Sequence, residues 1–353
     1  MADIKEKEEK LSGITGFTSR SLVYRTLEFA SPPRIPRQLR SSAWTEEKFA
    51  AAIKLIRTKY PDDLVVSPVV YPSSLRPPRP ESGPNFYIDE WGCVWERPTS
   101  HYLGKVKEAP LQDLSAVTSF HPPEVLLKID RKAIRAFCQE TECFILGGVE
   151  IRLFERLQSL RGELEVFQDL SLLQPDFLSL VKLVHEFNLK MIDVWTSTPI
   201  DALVLVDDWG SQDRMLISPA LWRRLFKPLY QEYIELIHHR RKKVFFHSDG
   251  FILEIIPDLI EIGIDALNAQ VFTLGLEKLQ KIARGRLTFW GCADYSYFFP
   301  KRGLVEIAER LRQLLAHLYT QGGLIALVDF QPGIDLQTIH HLVEAWEQLN
   351  QFL

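Results

Sequence analysis

A histidine and an aspartate two residues apart, in His247-Ser248-Asp249-Gly250, carry the sharpest chemical signal in this chain. On a turn leaving a strand, such a pair can converge on one metal ion or one substrate group, and Asp329 is placed to join from another strand. Three nitrogen and oxygen ligands with an open position describe a catalytic Zn2+ site, and the same donors suit other divalent ions. In the alternative reading, Asp249 caps the next helix and His247 is a hydrogen-bonded strand-end residue. Asp207 and Asp208 are adjacent carboxylates, suited to general acid or base work where one raises the pKa of the other. Adjacent residues need not share a face, so one of them equally reads as a cap. Asp294 is a third candidate catalytic carboxylate. Trp209, as a wall, and Asn268 and Gln270 are candidate substrate contacts. Arg34, Arg37 and Arg40 surround an early strand and read either as bidentate carboxylate clamps or as a solvated basic segment.

These residues share a context. Most follow a short apolar run: Ala202–Val206 before the two aspartates, Val244–Phe246 before His247, Asp265–Asn268, Leu287–Trp290 before Gly291-Cys292-Ala293-Asp294, and Leu324–Val328 before Asp329. Between the runs lie amphipathic stretches. One helix starts at Ser218 as N-cap with Pro219 next and carries apolar residues from Leu221 to Ile237; others cover 274–283, 304–319 and 336–349. Upstream, Arg34–Gln38, Leu64–Ser67 and Phe144–Gly148 are further strand candidates, with helices at 46–59 and 130–140. Alternating strands and helices imply a parallel sheet, and eight strands close a (β/α)8 TIM barrel, an α/β fold. A doubly wound open sheet is the runner-up, without a G-x-G-x-x-G or G-x-x-x-x-G-K-[ST] loop to support it. In a barrel, the residues just after the strands line the active site.

The remaining sequence bounds the reading. The 353 residues carry 42 Lys and Arg against 46 Asp and Glu, a net charge of −4, with 46% hydrophobic residues. That balance excludes disorder and argues against nucleic acid as partner. Apolar runs of about five residues fall far below the ~18 needed to cross a bilayer, and the charged N-terminus shows no signal peptide, so a cytoplasmic location and a small-molecule substrate are expected. Cys93, Cys138, Cys143 and Cys292 lack C-x-x-C spacing and read as free thiols. Residues 1–20 read as a flexible leader, and 21–353 as one barrel domain. Seven prolines between Pro61 and Pro84 mark a non-helical excursion or lid, followed by a hairpin over Phe86–Trp95 turning near Gly92.

The strand-end residues resemble the uroporphyrinogen decarboxylase superfamily, which includes corrinoid-dependent methyltransferases. Arg25–Pro36 resembles its opening helix and R-x-P strand. Asp89-Glu90-Trp91-Gly92 is similar to the DEWG of its methyltransferase-like branch, Val206-Asp207-Asp208-Trp209-Gly210 to its F-D-S-W-A-G segment, and Gly291-Cys292-Ala293-Asp294 to its G-N-L-D strand end. The resemblance implies a (β/α)8 barrel that either decarboxylates a tetrapyrrole or moves a methyl group between a corrinoid protein and an acceptor. The decarboxylases' R-Q-A-G-R-Y is matched only by Arg37-Gln38-Leu39-Arg40, and their F-S-D-I segment has no counterpart, which places the chain nearer the methyltransferases. Zinc methyltransferases of the family use H-x-C and a distant Cys; His247 matches, while Asp249 and Asp329 stand near the two Cys positions. The resemblance therefore implies a metal-assisted methyltransferase, zinc being the expected ion, with the corrinoid on a separate protein. Its rivals are a metal-free decarboxylase of a porphyrinogen-like polycarboxylate held by the three arginines, and a non-catalytic barrel that binds a tetrapyrrole or corrinoid protein.

Overall fold

The computed structural model describes residues 17–71, 86–96, 104–291 and 303–351. Its strands are β1 (Arg37–Ser41), β2 (Leu64–Val66), β3 (Phe86–Ile88), β4 (Val94–Glu96), β5 (Lys105–Glu108), β6 (Phe144–Ile151), β7 (Ala202–Val206), β8 (Lys243–His247), β9 (Ala266–Asn268), β10 (Thr288–Trp290) and β11 (Leu324–Phe330). Eight of them form one parallel sheet in the order β1-β11-β10-β9-β8-β7-β6-β2, a nearly closed barrel ringed by helices, as the alternating pattern predicts. The seam between β1 and β2 is tied by the two residues before β2. Asp63 donates its N–H to the Arg37 carbonyl (2.8 Å), and the carboxylates of Asp63 and Asp62 accept the N–H groups of Arg37 (2.9 Å) and Leu39 (2.5 Å).

Strand side chains alternate between two apolar layers. Leu64, Phe144, Leu146, Ala202, Val204, Val206, Phe245, Ala266, Trp290, Ile325 and Leu327 fill the barrel, whereas Leu203, Leu205, Val244, Phe246, Leu267, Phe289, Ala326 and Val328 pack outward beneath the helices. The helix Ser19–Leu27 closes the N-terminal end. Its Val23 and Leu27 join the interior layer, Arg20 and Tyr24 both donate to the Asp201 carboxylate, and its Thr26 carbonyl takes the N–H of Gly323. This helix begins inside the stretch read as leader.

Proline and glycine cause three of the departures from the pattern. β1 begins after Pro36 rather than at Arg34, because a proline has no N–H for the ladder. The helix expected to run from Pro219 to Ile237 divides at Phe226 into Pro219–Leu225 and Lys227–His239, with Pro228 opening the second piece. The helix expected over 274–283 divides at Gly275 (φ +92°) into Val271–Leu274 and Leu276–Ala283. Three helices between β6 and β7 (Phe154–Arg161, Glu163–Leu172 and Pro175–Thr196) are not anticipated by the sequence reading. The expected hairpin is present and gains β5 as a third strand, with Asp89 organising its turn by accepting the N–H groups of Trp91 (3.0 Å) and Cys93 (2.9 Å). Most of the proline-rich excursion lies outside the described residues. No described helix is long and apolar enough to cross a membrane.

Candidate metal and active site

The alternation that fills the barrel also decides which strand-end groups face its mouth. On β7, Ala202, Val204 and Val206 point inward, so the next inward position is Asp208 and its neighbour Asp207 points outward. On β8, Phe245 points inward, and the same count brings His247 and Asp249 to the mouth. Ligand atoms of Asp208, His247 and Asp249 all lie within 4.8 Å of one another. His247 Nε2 is 3.6 Å from Asp208 Oδ1. With bonds of about 2.1 Å, two ligands of one tetrahedral ion sit about 3.4 Å apart, so this spacing suits a shared ion. The donor set is one imidazole and two carboxylates, hard enough for several divalent metals. Asp208 also accepts the N–H of Asp249 (2.8 Å), which ties the two loops together at the level of the ligands.

Two glycines let those loops meet. Gly210 and Gly250 touch backbone to backbone: a Cβ on Gly250 would stand 2.1 Å from the Gly210 carbonyl oxygen, and one on Gly210 would stand 2.2 Å from the Phe251 nitrogen. Gly250 is also left-handed (φ +79°). Around the contact, the Gly210 N–H donates to the Asp249 carbonyl (3.2 Å) and the Phe251 N–H to the Ser211 carbonyl (2.7 Å). Ser248 Oγ accepts the Trp209 N–H (3.0 Å).

The expected third ligand, Asp329, is held elsewhere. It faces inward at the end of β11 but pairs with Arg40 (2.5 Å) and accepts from the Gln331 amide (2.7 Å), with two strands between it and β8. Asp208, expected to act in catalysis, takes its place in the cluster. Although burial opposes its charge, the Asp329 carboxylate holds the Arg40 guanidinium above its ordinary pKa, with smaller contributions from Glu150 and Asp249. Arg40 lies over the Trp290 ring, 6.0 Å from its centroid, and the Trp290 indole donates to Gln38 Oε1 (3.0 Å).

Asp207 serves the fold. It is fully buried and accepts hydrogen bonds from the Leu153 N–H (2.9 Å), the Glu155 N–H (2.8 Å) and the Tyr230 hydroxyl (2.5 Å), which caps the helix Phe154–Arg161 from outside the barrel. Burial pushes its pKa up to about 7 against those donors. Trp209 is fully buried in an aromatic cluster with Phe154, Trp222, Phe226 and Tyr230, so it is not a wall of an open pocket. Arg34 grips Asp63 through both guanidinium nitrogens (2.6 and 2.7 Å), and Arg37 reaches Glu347 on the last helix (2.6 Å) and lies over Tyr60. Both belong to the start of β1, away from the mouth, leaving Arg40 as the arginine of the three that faces it. Asn268 is at the mouth on His247, and Gln270 is half-buried at the start of Val271–Leu274. Asp294 lies outside the described residues.

The inward count 202, 204, 206, 208 marks Asp208 as a candidate ligand, whereas no sequence pattern marks Gly210 as a contact. The Arg40–Asp329 pair had no such signal, because it joins residues 289 positions apart.

No family model and no curated protein matches the chain. Among solved structures, a methyltransferase from Methanosarcina mazei superposes with a TM-score of 0.72 at 14% identity, covering 95% of this chain and 99% of that one. A B12-independent methionine synthase from Shewanella sp. W3-18-1 gives 0.48 at 10% identity, over 87% of each chain. Over nearly its whole length this chain shares the (β/α)8 barrel fold of the Methanosarcina mazei protein, and its candidate site lies at the C-terminal ends of the barrel strands.

Proposed function

We propose that this chain is a metal-assisted methyltransferase in which Asp208, His247 and Asp249 hold a divalent ion, zinc being the expected one, at the barrel mouth. The observation that carries the reading is the convergence of one imidazole and two carboxylates from adjacent strands, within 4.8 Å, where a barrel places its active site. A bound ion would supply Lewis acidity to an oxygen or sulfur of the methyl donor or acceptor. The chain's own residues orient and shield. The Asp208–Asp249 contact and the Gly210–Gly250 approach fix the ligand spacing, and Arg40, paired with Asp329, gives the opposite side of the mouth a guanidinium held in place. The methyl group would come from a corrinoid carried by a separate protein, the donor that the family resemblance implies. The decarboxylase reading loses support here, since Arg34 and Arg37 are bound at the other end of β1.

The test is elemental analysis of protein purified without a metal-affinity tag, beside His247→Ala, with methylcobalamin offered as methyl donor to a panel of thiol acceptors. Near-stoichiometric metal in the wild type, lost in the variant together with demethylation of the cobalamin, is the expected result. Absence of metal from the wild type after incubation with Zn2+, or methyl transfer undiminished in His247→Ala, would overturn the proposal.

A further inference from the structure

His247 presents Nε2 toward Asp208, and something must hold the imidazole in that orientation and tautomer. Its Nδ1 lies 2.5 Å from Asn268 Oδ1. The side-chain amide of Asn268 could face His247 with either end, but its other contact decides which. Asn268 Nδ2 lies 2.5 Å from the Trp290 carbonyl oxygen, which can only accept a hydrogen bond. The amide nitrogen must therefore face Trp290 and the amide oxygen must face His247. Nδ1 then carries the proton, which leaves the Nε2 lone pair free for a metal.

The backbone next door is shaped for this arrangement. Gly291, directly after Trp290, has φ +80°, and a Cβ there would stand 2.4 Å from Asn268 Nδ2 and 3.0 Å from Leu327. Any other residue at 291 would collide with the amide at its donating end. Three adjacent strands thus contribute in sequence: β10 offers a carbonyl and a glycine, β9 the amide, and β8 the imidazole.

From this chain of contacts we infer that Asn268 is a positioning residue, not a substrate contact, which fixes His247 as the Nδ1–H tautomer with Nε2 toward the metal position, and that Gly291 is the clearance this requires. The inference rests on the metal reading for its purpose but not for its test. Histidine nitrogen NMR on metal-free protein at pH 8.5 reads the tautomer directly. Wild-type His247 is expected as Nδ1–H, and Asn268→Ala as a mixture leaning to Nε2–H. Zn2+ titration gives a second readout: about 10- to 100-fold weaker binding in Asn268→Ala, the range usual for loss of a ligand's supporting partner. Gly291→Ala, which alters no ligand, is expected to weaken Zn2+ binding in the same direction. Thermal unfolding of each variant separates this effect from global destabilisation. A predominant Nε2–H tautomer in the wild type, or an unchanged tautomer in folded Asn268→Ala, would overturn the inference. If the wild type shows the Nδ1–H tautomer but binds no Zn2+, the metal reading fails and the positioning role stands.

Discussion

The two aspartates with the strongest claim on a third ligand position differ in what surrounds them. Asp208 is partly exposed, its Oδ1 3.6 Å from His247 Nε2; Asp329 is almost buried and committed to Arg40. Asp208→Ala is therefore expected to weaken Zn2+ binding at least about 100-fold with little change in stability, since a lost ligand costs several kcal/mol of binding but leaves no charge stranded. Asp329→Ala is expected to do the reverse, keeping metal affinity within about threefold and costing about 1–2 kcal/mol of stability by unpairing a partly solvated Arg40. Competition titration with a zinc indicator and urea unfolding, run on both variants, distinguish them; equal losses of affinity would return Asp329 to the ligand set. The sequence shows that both residues follow strands, and the pleat, counted from Ala202, shows that Asp208 faces inward. The partnership with Arg40 is invisible at that level, because β1 and β11 are neighbours only once the barrel closes.

At the scale of elements, strands were legible and helix boundaries less so. Most barrel strands hold a short apolar run, and Ala202–Val206 is found with the bounds its apolar run predicts. The helices between β6 and β7 escaped notice, although Pro175 at N1 and apolar residues at 177, 180, 181, 184, 187, 191 and 192 mark the longest one. The site itself depends on loops. The turns after β7 and β8 meet at Gly210 and Gly250, and no periodicity announces a backbone contact of that kind. Gly250→Ala would place a Cβ 2.1 Å from a carbonyl oxygen and force a left-handed conformation on an L residue, so the loops must separate. The expected result is a stability loss of about 1–3 kcal/mol together with at least about tenfold weaker Zn2+ binding, because Asp208 and Asp249 lie on either side of the contact. Stability lost with unchanged metal affinity would show that the ligand spacing does not depend on this contact.

Across the whole molecule the two ends of the barrel differ in what they hold. The N-terminal end is sealed by the helix Ser19–Leu27 through Asp201, while the C-terminal end brings together Asp208, His247 and Asp249. Asp207 serves the fold although it adjoins the candidate ligand Asp208, and its titration gives the fold a pH dependence of definite sign. Burial pushes its pKa up to about 7, whereas an unfolded chain would leave it near about 3.9. Between those values the native state holds a proton that the unfolded state releases, so unfolding becomes easier as pH rises. The contribution is complete below about pH 4, declines by up to about 1.4 kcal/mol per pH unit, and is gone above about pH 7. Asp62, raised by burial to about 6 at the β1–β2 seam, acts in the same direction. Urea unfolding from pH 4.5 to 7.5 in the presence of EDTA, which removes any metal linkage, should show this decline in the wild type. Asp207→Asn should be less stable throughout, because its amide nitrogen confronts groups that donate, yet its stability should fall less steeply with pH. Parallel curves for the two proteins would mean that Asp207 is ionised in the native state across the range, and that Tyr230 and the N–H groups of Leu153 and Glu155 outweigh its burial.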